Sequence, residues 1–232
     1  MELLSFDIEI SNVFELEDGE DLMKYAPFDI SCAATAEHEG SELNWYTGYD
    51  NTGLAGPNLS QDDAEGLLVY LEAAQNTGIK VCAWNGLGFD LRWIGHVAQN
   101  MKLASQIALK SYDPMFQFFN ITGFPVALAK VAEAMGIKQE KLMDGADAPK
   151  QWQDGNHQLV MDYCLGDCQM TNKVILAIID DGSLTWVTAK GATRHKPMPR
   201  LKTVEEVLKE KEPYQGWMTD PLKRSKFHEW II

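Results

Sequence analysis

Two carboxylates stand two positions apart near the start of the chain, in the stretch LLSFDIEI, where apolar residues otherwise dominate. In a strand, residues i and i+2 point to the same face, so Asp7 and Glu9 would project side by side. Burying adjacent carboxylates without a partner is costly, and a hard divalent cation such as Mg²⁺ removes that cost by taking their oxygens as ligands. The solvated face of an edge strand would explain the same pair without a metal.

A third carboxylate, Asp90, follows a predicted buried strand in the stretch VCAWNGLGFDLRWIG. The apolar run ends at Trp84, glycines shape a turn, and Asp90 stands where a helix is predicted to begin. Ligand sites of α/β proteins favour the carboxyl ends of strands, which makes Asp90 a candidate ligand. An acidic residue in a first helical turn also stabilises the helix dipole, which is a purely structural alternative. A dinucleotide-binding loop is disfavoured, because Leu91 occupies the position of its third glycine.

A tyrosine and an aspartate, Tyr163 and Asp167, lie four positions apart in the stretch HQLVMDYCLGDCQMTNKVI. On a helix this spacing places them one turn apart on the same face, so a phenol and a carboxylate could act together. The alternative is that Tyr163 is an amphipathic packing residue and Asp167 a solvated charge. This pair alone does not decide between the two.

The order of the elements that would position these residues predicts an α/β fold with a mixed β-sheet flanked by helices. We expect residues 1–185 to form one domain and residues 186–232 to form a basic, aromatic extension packed on it. An acidic loop at 15–21 would either gate a site or keep the protein soluble. The predicted strands are 3–10, 30–35, 43–47 and 80–84, and the predicted helices are 61–75, one from about 88, 124–135, 157–180 and 203–212.

Charge is distributed unevenly along the 232 residues, which carry 20 Lys and Arg against 34 Asp and Glu, for a net charge of −14. Residues 186–232 hold a surplus of basic residues, so the preceding part is the acidic one. An acidic body could hold divalent cations, which supply positive charge that the sequence does not encode. The extension mixes aromatic and basic residues, as a surface that follows a nucleic-acid strand would, but its aromatic residues could equally anchor it to the core.

Compartment and redox chemistry are bounded by three features of the sequence. No apolar run reaches the roughly 20 residues of a membrane span, and the start MELLSFDIEI lacks the regions of a signal peptide. We therefore expect a cytoplasmic protein without a membrane partner. The four cysteines form no C-x-x-C pair, so we expect small buried residues rather than zinc ligands. They are Cys32, Cys82, Cys164 and Cys168.

Taken together and in this order, the stretches FDIE at 6–9, NGLGFD at 85–90 and YCLGD at 163–167 resemble a known family. They are similar to the 3′–5′ exonucleases of the RNase H-like (DnaQ-like) superfamily that carry four acidic residues and a tyrosine, the DEDDy type. The histidine variant of that family has its histidine at the position of Asp162, whereas the tyrosine variant has its tyrosine at that of Tyr163. The asparagine of NGLGFD is similar to the proofreading domains of family B DNA polymerases and to free-standing relatives. The resemblance covers roughly residues 1–181.

The resemblance implies a two-metal-ion mechanism on the 3′ end of DNA, with single-stranded DNA as the expected partner. Two divalent cations, Mg²⁺ or Mn²⁺, would lie roughly 3.5–4 Å apart and clamp the attacking and leaving oxygens. Asp7 would bridge both ions, and Glu9 and Asp167 would hold the first. Asp90 would act mainly through the second ion and its waters. Tyr163 would orient the attacking water, since a phenol with a pKa near 10 is a poor base at pH 7.

The substrate pocket and the substrate class leave alternatives open. Asn85 and Phe89 would line the pocket of the 3′-terminal nucleotide, although burial under the helix explains Phe89 equally well. Tyrosine-type relatives of this fold also process RNA, so an exoribonuclease is one alternative. Another is a non-catalytic module that binds nucleic acid or a partner through the same groove. Such a module would be expected to have lost an acidic position, and the sequence retains all four.

Overall fold

The structure, a computed structural model, describes residues 2–15, 17, 20–49, 54–138 and 142–232. Part of the predicted acidic loop at 15–21, namely Leu16, Asp18 and Gly19, lies outside the described residues, and so does Met1 at the start of the predicted domain. None of the helices in the described part of the chain combines the length and the hydropathy that a membrane span requires.

A four-stranded mixed sheet forms the centre of the fold, in the order β3-β2-β1-β6. Strand β1 pairs antiparallel with β2 and parallel with β6, and β2 pairs antiparallel with β3. The predicted mixed sheet is therefore confirmed. The face of β1 that carries Asp7 and Glu9 lies against α7 and Glu9 is buried there, so the alternative of a solvated edge-strand face does not hold. The strands are β1 Leu3–Ile10, β2 Ile30–Glu37, β3 Glu42–Trp45 and β6 Lys80–Cys82, with a small hairpin of β4 Gly48–Tyr49 and β5 Leu54–Ala55 after β3.

Helices cover both faces of this sheet. Two predicted helices are confirmed to within one residue, α1 and α7, whereas α5 starts four residues later than predicted. Pro125 explains this delay, since the residue before a proline is disfavoured in the helical conformation. The helices are α1 Gln61–Asn76, α2 Asp90–Val97, α3 Met101–Lys110, α4 Pro114–Thr122, α5 Leu128–Ala134, α6 Ala148–Gln153, α7 His157–Asp181, α8 Val204–Leu208 and α9 Ser225–His228.

The two faces of the sheet have different packing partners. Leu4 and Phe6 of β1 belong to the main hydrophobic cluster, together with residues of α1 and α2 such as Leu67 and Ile94. On the other face the long helix α7 crosses β1 and β2. Small side chains on that face of β2 allow the close approach, namely Cys32, Ala34 and Ala36. Asp7 and Glu9 alternate with Phe6 and Ile8, so they point to the α7 side.

The C-terminal part of the chain packs onto the same core. It begins with a hairpin of β7 Ser183–Val187 and β8 Thr193–Pro197, and the ring of Trp186 lies 4.9 Å from that of Phe118, centroid to centroid. Phe227 and Trp230 are buried in the main hydrophobic cluster. The predicted boundary between residues 185 and 186 falls inside β7, and the division into two parts stays a prediction.

Candidate metal centre

Asp7 and Glu9 share the α7 face of β1 near its carboxyl end, and a thiol from α7 lies against them. One carboxylate oxygen of each residue and the sulfur of Cys164 all lie within 4.8 Å of one another. Glu9 is 9% exposed. The two carboxylates therefore lie on one face, as the strand periodicity predicts. The structure adds the thiol of Cys164 beside them, which the sequence analysis did not include.

Asp90 joins this group from the sheet edge beside β1. Strand β6 pairs only with residues Leu3, Leu4 and Ser5 of β1, which leaves the later backbone of that edge without a strand partner. Asp90, the first residue of α2, fills this gap, because its Oδ1 accepts a hydrogen bond from the N–H of Ile8 at 3.1 Å. Its carboxylate lies near that of Asp7, and its charge adds to burial in raising the pKa of Asp7.

Asp167 and Tyr163 approach from α7, one turn apart as their spacing predicted. Both line the same groove, and the charge of Asp167 acts on Tyr163, Asp7 and Glu9. A side chain at Gly145 would place its first carbon 3.1 Å from the Tyr163 hydroxyl, so the glycine keeps the space beside the phenol open. Asp90 and Asp167 border the tight Asp7–Glu9–Cys164 cluster rather than belonging to it.

The pKa values of all four carboxylates are shifted upward. Burial is the largest cause for each of them, and the neighbouring carboxylates add to it for Asp7 and Glu9, whose pKa values lie well above the ordinary range. The pKa of Asp90 is raised to about 7 and that of Asp167 to about 6. Burial, followed by the charge of Asp167, also raises the pKa of Tyr163, which therefore stays a neutral phenol at physiological pH.

The donor set fits divalent cations. The ion pairs found within the described ranges leave out all four carboxylates, so no lysine or arginine there neutralises them. Clustered, buried carboxylates without a cationic partner are unfavourable, and hard cations with oxygen ligands remove that penalty. Asp7, Glu9, Asp90 and Asp167 could hold such ions.

Sequence reasoning placed Cys164 among the small buried residues and missed its contact with the carboxylates. Its sulfur lies 3.4 Å from the backbone oxygen of Asp7 and 3.8 Å from Asp7 Oδ2, as a hydrogen-bond donor. The thiol is fully buried, and burial raises its pKa, so it faces Asp7 as a neutral group. Its position, three residues before Asp167, was the available signal, because that spacing places the two on neighbouring sides of one helix.

Two grooves meet at the carboxylates. One has a volume of about 580 Å³ and is lined by Glu9, Phe14, Leu22 and Phe89 among others. The second, of about 700 Å³, is lined by Tyr163, Asp167 and Met143 among others. Gly145 lines both. Glu9 is thus accessible from the first groove and Asp167 from the second.

The turn between β6 and α2 places Phe89 on the wall of the first groove, and Asn85 lines a smaller neighbouring pocket together with Phe89. Asn85 has a left-handed backbone with φ of 70°, and its Oδ1 is buried with no hydrogen-bond partner among the described residues. Phe89 is half-buried, packs against Phe28 at 5.8 Å between ring centroids, and lines the groove that contains Glu9. Phe89 is therefore both a wall of the groove and a packing residue.

Asp113 holds this turn in place and was missed in the sequence. Its carboxylate accepts hydrogen bonds from the backbone N–H groups of Asn85 and Leu87, both at 3.1 Å, and from that of Phe116 at 3.0 Å. It is 3% exposed, and burial raises its pKa to about 6 although these hydrogen bonds lower it. The sequence Asp113-Pro114 is typical of a helix start. The sequence around Asp113, however, does not indicate its hydrogen bonds to the turn at residues 85–87.

Comparison with known proteins adds one structural similarity. No protein-family model matches the chain, and no curated protein matches it. The solved structures that match include the family B DNA polymerase from the hyperthermophilic archaeon Pyrobaculum calidifontis, at 17% identity and a TM-score of 0.49. The similar region covers 78% of this chain and 24% of the polymerase chain. A similarity of this strength does not establish a function, which has to be inferred from the geometry of the site.

Proposed function

We propose that this protein is a metal-dependent 3′–5′ exonuclease with an RNase H-like fold, acting on the 3′ end of single-stranded DNA. The observation that carries the proposal is the approach of four carboxylates and one tyrosine, from three separate elements, to a single place between two grooves. An incidental cluster of surface charges would not be buried, and it would not resemble the FDIE, NGLGFD and YCLGD stretches in both residue type and order.

Asp7, Glu9, Asp90 and Asp167 would hold two divalent cations, Mg²⁺ or Mn²⁺. When bound, such ions neutralise the developing charge on the phosphate and lower the pKa of water. The main task of the carboxylates would be to hold the ions. Their raised pKa values mean that they hold protons when no cation is present, and bound cations would replace these protons.

Tyr163 would position the attacking water rather than deprotonate it. Its phenol stays neutral because burial and the charge of Asp167 raise its pKa, and a neutral hydroxyl can both donate and accept a hydrogen bond. The open space beside Gly145 leaves the phenol accessible from the second groove. Attack by water on the terminal phosphodiester would break the bond from phosphorus to the 3′ oxygen, which takes a proton, and would release a nucleoside 5′-monophosphate.

Asn85 and Phe89 would receive the 3′-terminal nucleotide. The half-exposed ring of Phe89 offers a stacking surface on the wall of the groove that contains Glu9. The unpaired amide oxygen of Asn85 lies beside this wall, and a hydrogen-bond donor of the substrate could satisfy it after a side-chain rotation.

The experiment uses a 3′-labelled and a 5′-labelled single-stranded DNA, with a matched RNA, in the presence of Mg²⁺, Mn²⁺ or EDTA. We expect mononucleotide release from the 3′ end of DNA, abolished by EDTA and in the isosteric variant Asp7→Asn. Release from RNA instead would assign the protein to the exoribonuclease alternative. Intact DNA and RNA under all conditions would overturn the catalytic proposal and favour a binding module.

A further inference from the structure

Residues 222–230 lie directly on the turn that carries Asn85 and Phe89. The indole N–H of Trp230 donates to the backbone oxygen of Leu87 at 2.8 Å. A side chain at Gly88 would place its first carbon 2.9 Å from the ring of Phe227. The contact is so close that it tolerates only glycine at position 88, so the C-terminal segment and the turn form one wall.

This segment is held firmly by buried contacts. The guanidinium of Arg224 donates at 3.0 Å to both Asn120 Oδ1 and the backbone oxygen of Glu210. The ring of Phe227 lies 4.7 Å from that of Phe119, centroid to centroid. Lys226, between these two anchors, is therefore presented from a rigid support, although its own side chain is 59% exposed.

Lys226 borders a pocket that continues into the candidate site. The pocket has a volume of about 230 Å³, and its lining includes Asn85, Phe89 and Lys226. Phe89 and Leu22 line both this pocket and the groove that contains Glu9. A strand whose 3′-terminal nucleotide lies in the groove against Phe89 can therefore continue, in its 5′ direction, past Phe89 towards Lys226.

The charges around this pocket favour a phosphate. Its lining includes one cation, Lys226, and one anion, Asp21, whose Oδ2 lies 3.9 Å from the Lys226 nitrogen. Both side chains are more than half exposed, and an exposed pair at this separation contributes little to stability. The lysine is thus available to another anion, in a protein whose net charge of −14 otherwise repels phosphates.

We propose that Lys226 binds a backbone phosphate of the single strand whose 3′-terminal nucleotide lies against Phe89, and that Asp21 competes with this phosphate. The inference rests on the proposed function, since it assigns the path of the same substrate. It also predicts opposite effects for the two partners of one ion pair, which a merely structural pair would not produce.

The test measures binding of a 5′-fluorescein single-stranded DNA to the Asp7→Asn protein by anisotropy over a range of salt concentrations. We expect Lys226→Gln to weaken binding about fivefold and to reduce the slope of log K against log salt by about 0.7, the value for one phosphate contact on a single strand. Asp21→Asn should tighten binding, because it removes the carboxylate that competes with the phosphate for Lys226. The substitution should leave the fold unchanged, since asparagine still caps the short helix at Leu22–Tyr25. Lys209→Gln, which removes an exposed charge paired with Glu205, is the matched control and should change neither quantity.

Unchanged binding in both Lys226→Gln and Asp21→Asn would overturn the inference while leaving the exonuclease proposal intact. Binding that changes as expected in a protein that degrades no strand would overturn the exonuclease proposal and retain the phosphate contact. Inhibition of cleavage by a nucleoside 5′-monophosphate separates the two sources of phosphate. If Lys226→Gln weakens that inhibition as much as it weakens strand binding, the lysine binds the product, and the backbone assignment is wrong.

Discussion

The backbone N–H of Ile8 donates a hydrogen bond to Asp90 Oδ1 at 3.1 Å, across 82 positions of sequence. This bond fixes the start of α2 against the strand that carries Asp7 and Glu9. Asp90 thus has two separable tasks, because an oxygen acceptor suffices for the hydrogen bond whereas binding a cation requires the charge.

Two substitutions of Asp90 separate these tasks. Asp90→Asn retains an acceptor for Ile8 and removes a charge that repels Asp7, so we expect the metal-free protein to be at least as stable as the wild type. Its kcat should fall by about 100-fold or more, as for the loss of one charge-stabilising group. Asp90→Ala leaves the Ile8 N–H without a partner and should cost about 1–3 kcal/mol of unfolding free energy. Urea unfolding in EDTA and single-strand cleavage measure the two effects, and equal destabilisation by both variants would contradict this division.

The stability of the metal-free protein should decrease as pH rises. Burial raises the pKa values of Asp90 to about 7 and of Asp167 and Asp113 to about 6, above their ordinary values near 3.8. Between these limits the unfolded chain loses protons that the folded chain keeps, so the stabilisation present below about pH 4 is lost towards pH 7. We expect a melting temperature in EDTA at least about 5 °C higher at pH 5 than at pH 8.

Divalent cations should reverse this trend, since they replace the protons. Mn²⁺ should raise the melting temperature more at pH 8 than at pH 5, and the Asp7→Asn variant should show a smaller increase at both. A metal-free protein that is equally stable at the two pH values would contradict the burial of these carboxylates.

The local spacing of the sequence was sufficient to predict how Asp7, Glu9, Tyr163 and Asp167 are oriented, because strand and helix periodicities decide it. The approach of these pairs to each other is a property of the tertiary structure, and only the resemblance to a family supplied it. Contacts without such a precedent were missed, as the bond from Cys164 to Asp7 across 157 positions illustrates.

Helices α3 and α4 were not predicted, although the sequence contains a start signal for each of them. Helix α3 begins at a clear N-cap, Asn100, whose side chain accepts from the Leu103 N–H at 3.2 Å, and α4 begins at Asp113 followed by proline. Local signals were therefore present for both helices. The role of Asp113 as a helix cap could be predicted from the sequence. Its second role, to hold residues 85–87, could not be predicted, since it depends on how β6 and α4 meet in the tertiary structure.

Asp113 should affect the site through the turn it holds. In Asp113→Asn one oxygen can still accept from Asn85 and Phe116, but the amide nitrogen cannot accept from Leu87. An orphaned buried N–H costs about 1–3 kcal/mol of unfolding free energy. Because α2 begins just after this turn, we also expect a higher Mn²⁺ concentration for half-maximal cleavage. Asp162→Asn is the control, since Asp162 is exposed on α7 and its carboxylate accepts a hydrogen bond from Gln158, one turn earlier on the same helix. Loss of stability with an unchanged Mn²⁺ requirement would limit Asp113 to a structural role.

Cys164 should tune the affinity of the site for metal. Its thiol donates to Asp7, which lowers the pKa of that carboxyl and favours the ionised form that binds cations. In Cys164→Ala this support is lost, so Asp7 holds its proton to higher pH and the Mn²⁺ concentration for half-maximal cleavage should rise several-fold at pH 6.5. At pH 8.5 the difference should shrink, because fewer protons compete with the cation for Asp7.

Cys168 provides a matched control for this last effect. It is equally buried on the same helix, but its thiol donates to the backbone oxygen of Ala34 at 3.4 Å. Cys168→Ala therefore creates a similar cavity without removing a donor from Asp7. If the two variants shift the Mn²⁺ requirement equally, and by the same amount at both pH values, the effect comes from packing. A shift confined to Cys164→Ala and to low pH identifies the thiol as the group that keeps Asp7 ready for a cation.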